Sequence, residues 1–552
     1  MRKDNFRNSF AENIFRIKYA ISPSDTWYNL AVRVVDDVCG SMQGKRDPLL
    51  SKDERDELVE LIYTFKFLPG GRYLYYAGRA AHFWNNCYLL RAEEDTREEW
   101  GSVCKRASDC LMSGGGIGID YSRIRPSGLV LSRTGGLASG PLPLMQSINE
   151  IGRNVMQGGS RRSAIYASLD WSHGDAEEFL VAKNWQDMPI GKSGYTLWDA
   201  KQDDFNYPAP LDMTNISINY NDDWDIDEHY GIFKQNVEQA LATGEPGFSF
   251  NFNGKELETL RNACTEVTSE DDSDVCNLGS INLSRFDSID EFRDAVDLGT
   301  RFLLCGTLRA DLPYDKVREV REKNRRLGLG LMGIHEWLLR RDSKYEVTDD
   351  LKNWLEVYKE VSDTTSADFA DWLGVSTPVA NRAIAPTGSI GILAGTTTGI
   401  EPLFATAYKR RYLVDGTRWK YEYVVDSTAE YLIEQGVKPD VIESAIDLSD
   451  DPERRIKFQA DVQDYVDMAI SSTINLPPWG SENNNPDRVD EFARLLGTYA
   501  PRLRGFTCYP DGSRGGQPIT SIPYEDAVKH KGVVYEESDI CEISGRGGTC
   551  GS

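Results

Sequence analysis

The chain has 552 residues, which is more than one small domain needs and enough for a large catalytic unit with additions. Apolar residues make up 40% of the sequence and charged residues 27%, a composition typical of globular proteins and not of disordered ones. With 62 basic and 87 acidic side chains the formal net charge is −25, which opposes binding to nucleic-acid backbones, so no nucleic-acid partner is expected.

The predicted elements fall into three regions along the chain. The first 66 residues have apolar residues near helical spacing and a helix start signal at Ser51. From about residue 85, short apolar runs, glycine-rich turns and helices such as residues 142–156 alternate, which is typical of an α/β fold. A second helical stretch follows over about residues 427–500. We predict an N-terminal helical region at 1–84, an α/β domain with helical additions at 85–504, and a C-terminal segment at 505–552 that ends in a mobile tail.

Two cellular environments are disfavoured. No apolar run is long enough to span a membrane, and the N-terminal residues lack the apolar core of a secretory signal. We therefore expect a cytoplasmic protein with no membrane partner. Ten cysteines are too few for a disulfide framework in a chain of this length, so they are expected to be thiols unless the chemistry uses them.

Asn262, Cys264 and Glu266 form the most informative cluster, in the segment NACTE, and Cys276 follows in CNLGSINL. If NACTE is extended, its period of two places an amide, a thiol and a carboxylate on one side. A thiol between a hydrogen-bonding amide and a potential general base is a reactive arrangement. The alternative is that Cys264 and Cys276 are ordinary buried small residues, as free cysteine usually is.

Glycine-rich segments give weaker signals. SGGGIGID at 113–120 lets the backbone approach a ligand or a neighbouring strand, but it has no dinucleotide or P-loop spacing. PTGSIG at 386–391 follows an apolar run, and a strand followed by small residues that open a helix offers N–H groups to an anion. A plain β-to-α turn explains the second segment equally well. Near the C-terminus, Cys541 and Cys550 are either a redox pair or two incidental exposed thiols.

In this order, the motifs resemble the catalytic chains of ribonucleotide reductases over nearly the whole sequence. The segments that carry the resemblance are NNCYLL at 85–90, SGGGIGIDYSRIRPSG at 113–128, QGGSRRSA at 157–164, NACTE at 262–266, CNLGSINL at 276–283, NRRLGLGLMG at 324–333, APTGSIGILAGTTTGIEP at 385–402 and STINLP at 472–477. The resemblance implies a ten-stranded α/β barrel with a central finger loop.

The resemblance also implies a role for each reactive residue. Cys264, at the tip of the finger, would become the thiyl radical that abstracts the ribose 3′ hydrogen. Glu266 would be the general base on the 3′-hydroxyl, and Asn262 would hold the ribose. Cys87 and Cys276 would form the dithiol that reduces the 2′ position and ends as a disulfide.

Substrate, effector and reductant are implied in the same way. Cys541 and Cys550 would re-reduce the active-site disulfide and be reduced by a thioredoxin-like protein, although their spacing is wider than the usual pattern of the family. Loops at 127–141 and 184–211 match those that relay the identity of a nucleoside triphosphate effector. The residues expected to bind the ribonucleotide substrate are Asn86, Gly115, Gly116, Pro386, Thr387, Gly388, Ser389 and Ile390, the last five as the turn that takes its phosphates.

Two features common in the family are not expected. The region at 10–35 already resembles the start of the catalytic body, which leaves no room for an N-terminal ATP-cone, so inhibition by dATP at such a site is not expected. The separation between Cys87 and Cys264 is too short for the insertion by which monomeric members imitate a dimer interface. A homodimer with effector sites at its interface is therefore predicted.

The radical source has two candidates. Members that take the radical from a separate metal-containing, ferritin-like subunit need two adjacent tyrosines near the C-terminus, whereas this chain has Cys508 and Tyr509 there. The pair Tyr75 and Tyr76 lies far upstream and is expected to serve packing. YPDGSRGGQP and STINLP resemble adenosylcobalamin-dependent members. We favour adenosylcobalamin as the cofactor and predict no metal site in this chain, and the separate radical-generating subunit stays the alternative.

Two further interpretations are disfavoured. SGRGGT near the C-terminus superficially resembles a glycyl-radical site, but an enzyme of that class would not be expected to have the CNLGSINL context and the full dithiol. An inactive nucleotide-binding regulator on the same fold would tolerate the loss of some of the five reactive positions, and all five are present. The sequence leaves open whether the substrate is a diphosphate or a triphosphate.

Overall fold

The computed structural model describes residues 4–132, 134–155, 163–191, 194–204, 206–414, 418–513 and 519–536. The helices are α1 Ser9–Lys18, α2 Trp27–Val38, α3 Lys52–Tyr63, α4 Gly71–Tyr76, α5 Arg97–Ser113, α6 Leu142–Asn154, α7 Ala176–Leu180, α8 Leu197–Asp203, α9 Tyr230–Thr243, α10 Ile289–Arg309, α11 Asp315–Asn324, α12 Ile334–Leu339, α13 Asp349–Leu373, α14 Gly388–Ala394, α15 Ser427–Glu434, α16 Pro452–Gln463, α17 Val489–Tyr499 and α18 Tyr524–His530. The strands are β1 Phe67–Pro69, β2 Cys87–Arg91, β3 Gly116–Asp120, β4 Ile165–Asp170, β5 Thr214–Asn221, β6 Gly247–Asn251, β7 Leu260–Arg261, β8 Thr268–Ser269, β9 Asp274–Asn282, β10 Leu327–Met332, β11 Ala407–Val414, β12 Arg418–Val425, β13 Thr473–Leu476, β14 Gly505–Pro510, β15 Ile519–Ser521 and β16 Val534–Glu536.

A large, mostly parallel sheet dominates the fold. Within the described residues it contains ten strands in the order β1-β9-β2-β3-β4-β5-β6-β14-β13, and β10 also pairs with β9. Strands β2 to β6 are parallel in chain order with helices between them, the βαβ arrangement that the alternating sequence pattern predicts. Antiparallel seams join β2 to β9 and β6 to β14. The predicted α/β class is therefore confirmed.

The two faces of β2 to β6 differ in chemistry. One set of alternating side chains is apolar and packs against α5, α6, α9 and α17 in a continuous buried core. The other set is small or polar, including Gly116 and Gly118 on β3 and Ser217 and Asn219 on β5. Because successive residues of a strand point to opposite faces, this second set lines the side on which the reactive loop lies.

Isolated bridges lie between β10 and the residues that precede β13. Single parallel bridges join Leu329 of β10 to Arg382, and Ile384 to Ile470, which precedes β13. The buried Arg382 side chain donates to the carboxylates of Asp363, at 2.5 Å, and Asp467. A buried guanidinium needs such partners, so this cluster stabilises the segments between β10 and β13.

The N-terminal helices pack against helices from later parts of the chain. Side chains of α1, α2 and α3 share one apolar core with α10, α12 and α13. Helix α3 begins at the predicted signal, where Ser51 and Glu54 form a reciprocal capping box. Among the described residues, no helix combines the length and the apolar character that crossing a bilayer requires.

Residues 505–536 have more regular structure than their composition indicates. Strand β14 lies inside the large sheet, between β6 and β13. Strands β15 and β16 flank the β11–β12 hairpin in an antiparallel sheet of order β15-β11-β12-β16, and α18 packs against it. Their pairing partners lie far away in sequence, so local composition does not reveal these strands.

Candidate active site

A short hairpin, which we call the finger, carries the central cysteine of the predicted cluster. Its legs β7 and β8 pair Leu260 with Ser269 and Arg261 with Thr268, and residues 262–267 form its tip. The finger packs directly on β3. A Cβ on Gly118 would collide with the carbonyl oxygen of Arg261, so only glycine permits this approach.

The other glycines of the segment 113–120 are also packing positions. A Cβ on Gly116 would lie 3.0 Å from the Cβ of Ala263 in the finger, and one on Gly115 would collide with the Tyr88 ring. The structure thus places Gly116 under the finger tip and Gly115 beside β2. Close approach of a neighbouring segment, one of the two reasons considered for this motif, accounts for both.

The finger tip is a turn and not an extended segment. The Thr265 N–H donates to the Asn262 carbonyl oxygen at 3.0 Å, and Thr265 has a left-handed φ of 71°. The expectation that alternation aligns three side chains of an extended segment is therefore wrong, because the chain reverses direction between β7 and β8. Asn262 and Glu266 point into the protein and are buried, whereas Cys264 is exposed.

Asn262 links the other groups of the cluster. Its Nδ2 donates to the sulfur of Cys87 at 2.8 Å, and its Oδ1 accepts from the N–H of Val267 at 2.9 Å. It also forms a side-chain hydrogen bond with Glu266. The amide therefore fixes the tip of the finger against β2, where Cys87 begins the strand.

Glu266 is a buried carboxyl group with a perturbed pKa. Burial raises the pKa of Glu266 to about 7, although hydrogen bonds from Asn262 and from its own backbone oppose the shift. Its main-chain oxygen accepts from the N–H of Ala469 at 2.8 Å, and its Oε2 has no hydrogen-bond partner among the described residues. A carboxyl group with a pKa near neutrality and a free oxygen can act as a general base.

Cys87 and Cys276 are paired by strand register. They lie directly opposite each other on the antiparallel strands β2 and β9. Such positions bring Cβ atoms to roughly 4.5–5.5 Å, close to the separation a disulfide requires. Both thiols are buried, and no disulfide occurs within the part of the chain that the structure describes. The register makes these two thiols competent to form one.

Burial keeps both thiols protonated near neutral pH. It raises the pKa of Cys87 well above its usual value, and the charges of Glu266, Cys264 and Cys276 raise it further. Burial also raises the pKa of Cys276, which the charge of Arg326 partly opposes. These mutual effects mean that the three thiols and the carboxyl group interact at one site.

The predicted anion-binding turn is followed by the expected helix, but among the described residues an isolated bridge, and not the expected strand, precedes it. It follows the bridged residue Ile384, and α14 begins at Gly388. Thr387 has a left-handed φ of 49°, and its Oγ1 accepts from the N–H of Gly399 at 2.8 Å. Gly388 is exposed and a Cβ there would meet no atom within 4 Å, so packing does not require this glycine. Pro386 and Ser389 are half-buried, and Ile390 is buried.

Asn86 lies next to the dithiol on the same chain segment. Its carbonyl oxygen accepts from the N–H of Gly116 at 2.9 Å, which joins the start of β2 to β3. Its side chain is half-buried, and its Oδ1 has no hydrogen-bond partner among the described residues. This arrangement leaves an acceptor oxygen beside the finger.

Some predicted residues cannot be placed. Cys541 and Cys550 lie outside the described residues, as does most of QGGSRRSA. The loop at 127–141 is a short hairpin with a bridge between Val130 and Leu137, and the loop at 184–211 contains α8.

The structure adds residues that the sequence analysis did not single out. Arg326 donates through Nε to Asp274 at 2.8 Å, and Ser269 at the end of the finger donates to the same carboxylate at 2.7 Å. Arg326 was within the NRRLG motif, but the motif alone gave it no role. Gly118 was likewise within a quoted motif, and its contact with Arg261 depends on a segment far away in sequence.

The two candidate tyrosine sites differ in their surroundings. On β14, Cys508 lies in the core that faces the helices and donates to the Ala240 carbonyl oxygen at 3.3 Å. Tyr509 is on the opposite, finger-facing side and is half-buried. Tyr75 and Tyr76 pack edge to face at 5.1 Å, as expected for packing residues. In the described ranges, no group of three His, Cys, Asp or Glu side chains could hold a metal ion.

Comparison with known proteins identifies the family. The model of the ribonucleotide reductase barrel domain matches residues 85–202, 226–367 and 379–500. The chain is 27% identical over 525 residues to a vitamin B12-dependent ribonucleoside-diphosphate reductase of Mycobacterium tuberculosis, covering 86% of this chain and 74% of that protein. A protein of the same name from Thermoplasma acidophilum is 25% identical over 547 residues, with 88% and 68% covered. A ribonucleoside-diphosphate reductase large subunit of Danio rerio is 24% identical over 443 residues, with 65% and 56% covered. Because the family model matches most of the chain and the thiol site lies within the matched segments, this chain belongs to the ribonucleotide reductase family.

Proposed function

We propose that the chain is the catalytic chain of an adenosylcobalamin-dependent ribonucleotide reductase, which converts ribonucleotides to 2′-deoxyribonucleotides. The observation that carries this proposal is one exposed thiol, Cys264, beside a buried dithiol and a buried carboxyl group of raised pKa. The relatives with the broadest coverage that we compared are named as vitamin B12-dependent enzymes, which supports the choice of cofactor.

The side chains divide the reaction between them. The Cys264 thiyl radical takes the 3′ hydrogen atom, and the Glu266 carboxylate accepts the proton of the 3′-hydroxyl while Asn262 orients the ribose. Cys87 and Cys276 then supply two electrons and two hydrogens, the 2′-hydroxyl leaves as water, and the two sulfurs form a disulfide. Glu266 returns its proton to the 3′-oxygen, and Cys264 finally returns the hydrogen to C3′. Because burial keeps both thiols of the dithiol protonated, they can donate hydrogen and not only electrons.

The thiol site is suited to a bound radical cofactor. When bound, adenosylcobalamin supplies the radical that oxidises the thiol. Cys264 is the exposed thiol at the finger tip, while the two thiols that must be protected are buried. Tyr509 and Thr507 lie on the finger-facing side of β14 and are half-buried, so they are candidates to line the approach to Cys264.

The site does not favour a radical relay through β14. A relay by proton-coupled steps needs each redox side chain in contact with the next. Cys508 faces the helical core and Tyr509 faces the finger, so their side chains point to opposite sides of the sheet. This arrangement supports a radical generated next to Cys264 over one delivered by a separate metal subunit.

The finer architecture is part of the proposal. We infer that the ten strands close into a barrel around the finger, because the bridges at Arg382 and Ile384 connect the segments between β10 and β13. The turn at 386–390 would bind the substrate phosphates through the N–H groups at the start of α14, as helix N-termini commonly do. Asn86, Gly115 and Gly116 would line the same pocket.

The partners follow from the chemistry of the cycle. The disulfide of Cys87 and Cys276 must be reduced after each turnover, which we assign to Cys541 and Cys550 and to a thioredoxin-like protein. A homodimer with a nucleoside triphosphate effector at its interface, and a cytoplasmic location, complete the proposal.

The decisive test uses the purified chain alone. We expect it to form deoxyribonucleotide from a ribonucleotide when adenosylcobalamin, an effector and a small dithiol are supplied, with no second protein. Ribonucleoside diphosphates and triphosphates are assayed in parallel to identify the substrate. Product only in the presence of a ferritin-like metal subunit would assign the radical to the alternative source, and no product with either would refute the enzyme assignment.

A further inference from the structure

The base of the finger is held by charged side chains in the interior of the protein. Arg504 is buried and donates through Nη2 to Oε2 of Glu258 at 2.8 Å. The same oxygen accepts from the hydroxyl of Thr268 at 2.8 Å. Glu258 precedes the first leg of the finger and Thr268 lies on the second, so one carboxylate ties both legs to Arg504.

The main chain of Arg504 is bound to the finger as well. The buried Arg261 side chain donates through Nη2 to the Arg504 carbonyl oxygen at 3.1 Å and to Oδ1 of Asn251 at 2.7 Å. Its Nη1 also donates to carbonyl oxygens at positions 258 and 260 of the finger. Arg261 therefore joins the first leg to two elements of the large sheet.

The electrostatics of this cluster depend on one carboxylate. Burial, together with the neighbouring charge of Arg504, lowers the pKa of Arg261 to about 9. Burial opposes ionisation of Glu258, but the charges of Arg504 and Lys255 together with hydrogen bonds outweigh it and lower the pKa of Glu258 to about 2. Glu258 is thus the ionised counter-charge for closely packed cations, an arrangement that removal of one partner would disrupt.

Arg504 also has a particular place in the chain. It is the residue immediately before β14, and Gly505 pairs with Ser249 of β6. The second leg of the finger has a different anchor, through Ser269, Asp274 and Arg326. The second leg therefore has an additional charged attachment, while the one at Arg504 serves both legs and connects the start of β14 to the loop that carries Cys264.

We propose that Arg504 is a positioning residue for Cys264, which it holds in place through Glu258 and Arg261 without touching the substrate. The proposal rests on the proposed function only for its kinetic part. Loss of the Arg504 side chain would let the finger, with Asn262, Cys264 and Glu266 at its tip, move relative to β3 while the dithiol on β2 and β9 stays in place.

The test compares Arg504→Met, Arg504→Lys, Glu258→Gln and the double variant Glu258→Gln/Arg504→Met. The control is Arg502→Met, because Arg502 is two residues away and pairs with Asp461 and Asp464 at the surface. The first readout is the rate at which iodoacetamide alkylates Cys264, followed by mass spectrometry of the Cys264 peptide. The second is the separation of kcat from KM, and melting temperatures are recorded for all variants.

We expect Arg504→Met to change the alkylation rate of Cys264 by at least about threefold, because the tip samples more open positions. We expect kcat to fall by about 100-fold with KM within about twofold, since small misplacement of a reacting group costs rate and not affinity. Arg504→Lys should recover part of both effects. The double variant should be no worse than Arg504→Met, because both changes remove the same ion pair.

The inference is overturned if iodoacetamide alkylates Cys264 in the Arg504→Met variant at the wild-type rate, or if Arg504→Met has the same effect as Arg502→Met. It is also overturned if the effects of Arg504→Met and Glu258→Gln add up in the double variant. Should Arg504→Met fail to fold, the same criteria apply to Arg504→Lys and Glu258→Gln. The alkylation measurement needs neither cofactor nor substrate. If the wild-type protein were inactive, the proposed function would be refuted, but the alkylation rates would still test the positioning role of Arg504.

Discussion

The thiols of the candidate active site are held in two different ways. Cys87 and Cys276 sit on neighbouring strands, and the register of β2 and β9 alone makes them opposite each other. Cys264 sits on the turn of a short hairpin whose two strands have two residues each. Its position depends on the contacts that this hairpin makes with other parts of the chain. The pairing of two strands therefore fixes the dithiol, while residues outside its own hairpin help to place Cys264.

This difference has a chemical purpose in the proposed reaction. A dithiol that must close into a disulfide needs a fixed short separation, which sheet register provides without further support. A thiol that must meet both a cofactor and a substrate needs an exposed position, which a strand in the middle of a sheet cannot offer. The following predictions test this contrast.

The largest effect is expected at the finger tip. Cys264→Ser should reduce turnover to the uncatalysed background, because a hydroxyl fits the space but cannot readily form the radical. Nucleotide binding, measured by equilibrium dialysis, should be largely unchanged. Cys104→Ser is the control, since Cys104 is a half-buried thiol on α5. Near wild-type turnover by Cys264→Ser would remove this residue from the mechanism.

The next effect concerns how the buried dithiol is regenerated. With thioredoxin as reductant, Cys541→Ser or Cys550→Ser should stop after about one cycle, because the reductant cannot reach the buried sulfurs itself. A small dithiol that enters the site should restore multiple turnovers. Product is counted per protein in single-turnover and steady-state assays. Normal cycling of both variants with thioredoxin would show that the tail assignment is incorrect.

Glu266 should give a smaller effect with a pH signature. Glu266→Gln should lower kcat by about 100-fold, the usual range for loss of a general base. In the wild type the carboxylate is the active form, so kcat should fall as the pH drops through about 7, and this limb should be missing from the variant.

The stability of the same variant provides an independent control. The folded protein favours protonated Glu266, so wild-type stability declines as the pH rises from about 4.5 through about 7, and Gln cannot ionise. Glu266→Gln should therefore melt at a higher temperature than the wild type at pH 8.5 and at a similar one at pH 4. Equal melting temperatures at pH 8.5 would contradict the raised pKa.

A substitution at Gly118 tests whether the finger requires a residue without a Cβ at this position of β3. Gly118→Ala should lower stability by about 1–3 kcal/mol and reduce kcat, because the new Cβ collides with the Arg261 carbonyl oxygen. Gly101→Ala is the matched control, since Gly101 lies in α5 and a Cβ there meets no atom within 4 Å. The control should be neutral or stabilising. Thermal unfolding of the two variants gives the comparison, and equal behaviour would mean that the finger adapts.

The smallest effect is expected on β14. With adenosylcobalamin, Tyr509→Phe should slow turnover by less than about threefold, because the radical would not travel through the phenol. Steady-state rates at saturating cofactor measure this. If the wild-type chain forms product only with a metal subunit, and Tyr509→Phe is inactive under those conditions, the radical would be assigned to the alternative source.

The sequence predicted the elements better than the contacts between them. The α/β class and the N-terminal helices followed from apolar periodicity, and the helix after Thr387 followed from local composition. The cluster of Asn262, Cys264 and Glu266 was also found, since its residue types lie within five positions.

Three features could not be predicted because distant segments determine them. The alignment of Asn262, Cys264 and Glu266 was conditional on an extended segment, but Thr265 adopts a left-handed φ so that β7 and β8 can pair. Strand β14 owes its conformation to β6 and β13, which come from other parts of the chain. The charged anchor of Glu258 and Arg504 joins residues 246 positions apart, and no local pattern marks such a pair.

The location of β14 has a consequence for how the protein is made. Because this strand lies between β6 and β13, the large sheet lacks its connection to β13 until residue 510 has emerged from the ribosome. During synthesis, β6 and β13 would expose unpaired edges, which are templates for association with other chains. Nascent chains that stall before residue 505 should therefore be aggregation-prone and dependent on chaperones.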